Sequence, residues 1–280
     1  MPSQKGVSRV ADSRCRKREG MGGIIAPRFP SRRAAILAIA FILLACSYSD
    51  SESQEILVFA AASLATAMEE IGAEFEAVSN ATVTFSFGGS QTLAQQISGG
   101  APADMIVAAG KFPMQFLTER NLVGSEPIDL LTTKLVVAIQ PGANSPSTLQ
   151  GLTDAAYPNI AIADPDLAPA GAYAREALSD LGLWTVIEDR LVFGPDVRST
   201  LAYVESGNAD AALVYETDAR ASGSVKILDI VPTESYSPIV YPAALITEAP
   251  NESQARLFLE FLAGPQATRI FQSLGFQPAQ

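Results

Sequence analysis

Histidine is absent from this 280-residue chain, cysteine occurs only at Cys15 and Cys46, and Trp184 is the single tryptophan. Without histidine there is no Ser-His-Asp triad, no Cys-His pair and no ordinary zinc site. Cys15 lies in a basic segment and Cys46 directly follows an apolar run, so cleavage between them would leave no intrachain disulfide. Internal repeats are missing too, which excludes a solenoid or propeller. What the chain does have is apolar residues: a 48% share is enough for a sizeable core and excludes a disordered acidic polymer.

The first 45 residues differ in composition from the rest. They hold nine of the 19 Lys and Arg but only Asp12 and Glu19 of the 30 acids. Arg14, Arg16, Lys17, Arg18, Arg28, Arg32 and Arg33 precede the apolar run 34–45, AAILAIAFILLA, which is too short to span a bilayer comfortably. The pattern resembles a bacterial lipoprotein signal whose lipobox is Leu43-Leu44-Ala45-Cys46. It implies cleavage before Cys46, lipidation of that cysteine and a periplasmic or cell-surface location. An ordinary secretory peptide with an incidental cysteine is the alternative, and Met21 is a second candidate start. Residues 46–53 read as a polar tether. Beyond residue 45 there are 10 basic and 28 acidic residues, a formal net charge of −18. Such a chain lacks the phosphate-neutralising surface that a nucleic-acid partner requires.

From Glu55 the pattern alternates between strands and helices. Strands are expected at 55–60, 82–87, 104–108, 134–140, 160–163, 191–193, 211–215, 225–230 and 238–246. Helices are expected at 63–78, from Ser90, at 113–119, 148–156, 169–182, 197–206, 251–263 and 264–274. The repetition predicts an α/β fold with parallel-sheet crossovers. Extended runs at 132–138 and 234–242 suit crossings between two lobes, with a ligand cleft at the carboxyl ends of the strands. The expected division is 54–133 with 239–280 as one lobe and 134–238 as the other. Ser237-Pro238 and Tyr241-Pro242 predict a bent or edge strand.

Four helix starts have a common character. Ser63 follows three alanines in VFAAASL (58–64), where it reads as an N-cap; Ser90 follows Gly88-Gly89; Ala170 follows Pro169; Val197 follows Gly194-Pro195-Asp196. Small residues let a ligand approach main-chain N–H groups, and helix N-termini favour anions. Each corner alone is ordinary capping; four at strand ends suggest a composite anion site. Asp104 reads as a tether for a neighbouring turn, Arg198 as a salt-bridge partner, and Trp184, Phe258, Phe261 and Phe271 as core.

These stretches resemble the periplasmic molybdate-binding proteins of ABC transporters, of the type II solute-binding fold. The resemblance rests on VFAAASL, GGSQTLAQQI (88–97), GAPADMIVAA (100–109), DPDLAPAGAYAREAL (164–178), PDVRSTLAYVESGNAD (195–210), LVYETDA (213–219) and FLAGPQATRIFQSLGF (261–276). It implies a two-lobed receptor, expected as a monomer, that binds molybdate or tungstate and serves an inner-membrane ABC permease. It implies no catalysis, no cofactor and no direct metal ligands, the metal being held through its oxygens. The implied ligands are Ser63 and Ser90 by hydroxyl and N–H, Ala170 and Val197 by N–H, and Tyr215 by its phenol. Taken from the residues alone, Tyr215 reads as core. A receptor for sulfate or thiosulfate is the nearest alternative. A serine hydrolase using Ser63 is remote: no G-x-S-x-G elbow surrounds it, and Lys111, Lys134 and Lys226 sit in no recognisable pairing.

Overall fold

The computed structural model describes residues 54–142 and 148–279. The signal segment, the lipobox with Cys46 and the tether up to residue 53 lie outside the described residues. Among those described, no helix is long and apolar enough to cross a membrane.

Two sheets organise the chain. The first takes β1 (Gln54–Ala61), β2 (Ala81–Gly88), β3 (Met105–Val107), β4 (Ile128–Thr132), β10 (Val240–Leu245) and β11 (Gln277–Pro278), in the order β11-β4-β10-β3-β1-β2. The second takes β5 (Leu135–Ile139), β6 (Ile160–Ala163), β7 (Leu191–Gly194), β8 (Ala211–Tyr215) and β9 (Lys226–Ile230), in the order β7-β6-β8-β5-β9. The central strands read as unbroken apolar runs because helices cover both faces: every residue of β5, β6 and β8 is buried. Helix α1 (Ala65–Val78) lays Met68, Ile71 and Phe75 on the first sheet. The Phe75 ring packs at a tilt of 60°, centroids 5.0 Å apart, against Phe258 of α8 (Glu252–Leu262), which covers the same face.

The sheets are mixed where purely parallel crossovers were expected. β1 pairs parallel with β2 and β3, and β6 with β7 and β8, but β10 runs antiparallel to β3 and β4, and β5 to β8 and β9. Connectivity explains the exceptions. The chain leaves the first sheet at Thr132, enters the second at Leu135, leaves it at Ile230 and returns at Val240. Strands that receive the chain from the other sheet start at the inner end and run outward, against the strands that carry it inward. Tyr241-Pro242 marks a register shift in β10, so this strand is bent as expected, yet it lies inside the sheet and not at its edge.

Most elements fall where periodicity places them. Predicted helix 148–156 is a 3₁₀ segment, Leu149–Thr153, too short to close α-helical turns around Gly151. Strands β4 and β11 and the short helices α5 (Trp184–Ile187) and α7 (Glu216–Ala221) went unpredicted, each having too few residues to show a period. Ser63 is not an N-cap. It sits inside a 3₁₀ turn, Ala62–Leu64, and Leu64 takes the cap position of α1 with no side-chain bond.

Candidate functional site

Strand register brings the corners together. Ala61 pairs with Gly88, so the turns that follow β1 and β2 lie side by side and present Ser63 and Ser90 at one sheet's inner edge. In the second sheet Ala163 pairs with Gly194, and Ile162 with Leu213. This aligns the starts of α4 (Pro169–Asp180) and α6 (Val197–Glu205) with the end of β8 at Tyr215. The two edges flank a narrow cavity, open on one side, of about 10 Å³, room for about one water.

All five expected ligand residues line it: Ser63, Ser90, Ala170, Val197 and Tyr215. The rest of the lining is mostly alanine, glycine and proline, with no Lys or Arg. Gly89 shows why small residues are needed. A Cβ there would collide with the Leu167 carbonyl oxygen and lie 2.9 Å from that of Pro195, across the cleft. The walls also hydrogen-bond directly. Thr92 N–H of α2 (Ser90–Ser98) donates to Leu167 O at 3.2 Å, and Gln91 Nε2 donates to Pro165 O at 3.2 Å.

The hydroxyls differ in their partners. Ser90 Oγ accepts from Ala109 N–H at 2.9 Å, and Ser63 Oγ lies 3.2 Å from the hydroxyl of Tyr241. The Tyr215 hydroxyl is buried in the cavity wall with no hydrogen-bond partner among the described residues. An unpaired buried hydroxyl costs about 1 to 3 kcal/mol, so this one is a donor available to a hydrogen-bond acceptor entering the cavity. Burial, reinforced by Tyr241, Tyr173 and Asp218, pushes this phenol well above its usual range, and Tyr215 therefore faces the cavity as a neutral donor. Asp196 is the lining carboxylate. It caps α6, accepting from Ser199 N–H at 2.9 Å and from the Ser199 hydroxyl at 3.1 Å.

Behind this wall lies a group that sequence reasoning did not single out. Asp218 of α7 is buried, and Arg198 Nε stands 3.7 Å from its Oδ1. That is an ion pair but too long for a hydrogen bond, and neither carboxylate oxygen has a hydrogen-bond partner among the described residues. Burial pushes Asp218 up to about 7; Arg198 opposes the rise and Asp196 adds to it. Arg198 Nη2 also donates to Thr66 Oγ1 of α1 at 2.7 Å, joining the two sides of the cleft. Asp104 is the expected tether, outside the cavity, accepting from Leu57 N–H at 2.8 Å and Asn251 N–H at 2.7 Å. Phe258 and Phe271 are core, with Trp184 and Phe261 packed against it. Lys111, Lys134 and Lys226 are not in the cavity wall.

Residues 56–277 match the model of a bacterial extracellular solute-binding protein family. The chain is 35% identical over 246 residues to the molybdate-binding protein of Haemophilus influenzae, covering 86% of this chain and 96% of that one. It is 36% identical to a Bacillus subtilis chain named as an ABC transporter substrate-binding lipoprotein, covering 85% and 94%. Among solved structures, the periplasmic molybdate-binding protein of Azotobacter vinelandii superposes with a TM-score of 0.73 at 25% identity, covering 80% of this chain and all of that one.

Proposed function

The chain belongs to the bacterial extracellular solute-binding proteins, and on that premise we propose that it captures molybdate or tungstate and delivers it to an inner-membrane ABC permease. The buried Tyr215 hydroxyl, unpartnered in a cavity with no cationic side chain, carries this reading. A tetrahedral dianion supplies the acceptor that this hydroxyl lacks. Its other oxygens reach Ser63 and Ser90 by hydroxyl and N–H, and the N–H groups of Ala170 and Val197 at the starts of α4 and α6, whose dipoles favour negative charge. Seven such bonds at about 1.5 to 3 kcal/mol each give a gross gain on the order of 10 to 20 kcal/mol. Association costs of several kcal/mol leave about −8 to −12 kcal/mol, which is micromolar to nanomolar binding without a cation.

Neutral donors also sort anions by protonation state. Molybdate, tungstate and sulfate are fully ionised near neutral pH, whereas monohydrogen phosphate brings a proton that needs an acceptor. Both oxygens of the lining carboxylate Asp196 are engaged by Ser199, and leaving that proton unpaired costs about 1 to 3 kcal/mol. Sulfate, with shorter bonds, is rejected by fit. Isothermal titration with molybdate, tungstate, sulfate and phosphate tests the assignment, and sulfate binding as tight as molybdate would defeat it.

The receptor works without covalent chemistry, as a monomer. Its lobes are residues 54–133 with 239–280, and 134–238. Cys46 carries the lipid that holds the mature protein at a membrane on the extracytoplasmic side; mass spectrometry of the mature N-terminus would find a diacylated cysteine, and an unmodified or uncleaved terminus would refute the anchor. The Bacillus subtilis relative named as a lipoprotein supports this reading.

A further inference from the structure

Tyr241 lies in the interior of β10 and is fully buried, but it does not line the cavity. Its ring packs edge-on against Tyr215, with centroids 6.1 Å apart, and against Phe276 at 5.6 Å. Its hydroxyl meets Ser63 Oγ at 3.2 Å, the only hydrogen-bond partner it has among the described residues. Geometry alone allows either oxygen to donate. The surroundings decide between them once an anion is bound. If Ser63 donated to Tyr241, the phenol proton would be left without an acceptor, and Ser63 would turn a lone pair toward a dianion. If Tyr241 donates, both problems vanish: the phenol proton is paired and the Ser63 proton is free to point into the cavity.

We propose, resting on the oxyanion reading above, that Tyr241 is a positioning residue for the site: by donating to Ser63 Oγ it aims the Ser63 hydroxyl proton at the bound anion. Ser90 has the same arrangement from a different donor, since Ala109 N–H occupies its oxygen at 2.9 Å and leaves the Ser90 proton free. Both serines are thereby turned from ambivalent hydroxyls into donors facing inward. A donor chain of this kind also polarises, so the Tyr241 bond strengthens the one Ser63 gives to the anion. Burial, with Asp218 adding to it, pushes the Tyr241 hydroxyl well above the usual phenol range, so it keeps the proton that this role requires.

A double-mutant cycle tests the assignment. Tyr241→Phe keeps the ring and its aromatic contacts and removes one oxygen. Molybdate affinity is measured by isothermal titration for the wild type, Tyr241→Phe, Ser63→Ala and the double variant, with thermal midpoints of the ligand-free proteins alongside. Tyr241→Phe should weaken binding about threefold to tenfold. In the Ser63→Ala background the same change should cost less than about twofold, because the hydroxyl it aims is gone. In a Ser90→Ala background, which leaves Ser63 intact, the full cost should return. Equal cost in the Ser63→Ala background, or no cost in the wild type, overturns the positioning role. Absence of molybdate binding by the wild type itself overturns the oxyanion reading, and this inference with it.

Discussion

The two walls of the cavity offer donors of different kinds. On the wall of the first sheet, Ser63 and Ser90 present hydroxyls whose oxygens are already engaged by Tyr241 and by Ala109 N–H. On the wall of the second, Ala170 and Val197 offer main chain, and the side-chain donor Tyr215 has no partner among the described residues. On the first wall each serine oxygen has a protein partner whether or not a ligand is present, whereas the second holds a buried hydroxyl with none among the described residues. Substitutions on the two walls should therefore have opposite effects on the ligand-free protein even where they weaken binding alike.

Ser90→Ala breaks this contrast most severely. It removes a donor to the anion and leaves the buried Ala109 N–H without an acceptor, so affinity should fall about tenfold to a hundredfold and ligand-free stability by about 1 to 3 kcal/mol. Tyr215→Phe should weaken molybdate binding by a similar factor while leaving the ligand-free protein as stable or about 1 kcal/mol more stable, since an unpaired buried hydroxyl disappears. Titration and thermal unfolding of both variants check the pair. If Tyr215→Phe binds molybdate as the wild type does, the residue is core and the second wall has lost its side-chain donor.

Asp218 sharpens the comparison from behind the second wall. Its folded-state value, about 7, lies above the ordinary carboxylate value of 3.8. Between those two values the folded protein holds a proton that the unfolded chain has released, so this group makes stability fall as pH rises through that window and level off above about 7. Thermal midpoints recorded from pH 5 to pH 8 should decline in the wild type by a few degrees more than in Asp218→Asn. A parallel decline in both would mean that other groups set the slope. Thr66→Ala removes the exposed hydroxyl that Arg198 reaches across the cleft and should cost no more than about fivefold in affinity. Val197→Ala is the smallest change expected, less than about twofold, because the bond comes from backbone; a larger loss would show that the side chain shapes the cavity.

The same division between backbone and side chain governs how much could be read from the sequence. The four corners were legible because each combines a strand end, small residues and a helix start within a few positions, all local signals. Tyr215 was not: an apolar strand ending in tyrosine looks like core, and in fact every residue of β8 is buried. Only its resemblance to a family pattern pointed to a ligand. Tyr241 and Asp218 were missed for a related reason. Their roles depend on partners 178 and 20 positions away in the chain, Ser63 and Arg198, and nothing in YPAALI or YETDA announces them. Mixed strand direction escaped for a topological reason: β5 and β10 run backward because they receive the chain from the opposite sheet, a property of the path and not of their composition.

The central claim is that a cavity built from both walls, without a cationic side chain in its lining, takes a tetrahedral dianion. A crystal structure of the protein grown with molybdate, phased at the molybdenum edge, tests this most directly. The account predicts an anomalous peak between Ser63, Ser90, Ala170, Val197 and Tyr215, with oxygens about 2.7 to 3.1 Å from their donors and the Tyr215 hydroxyl paired. A peak outside the cavity, or a bound anion that leaves the Tyr215 hydroxyl unpartnered, would contradict it.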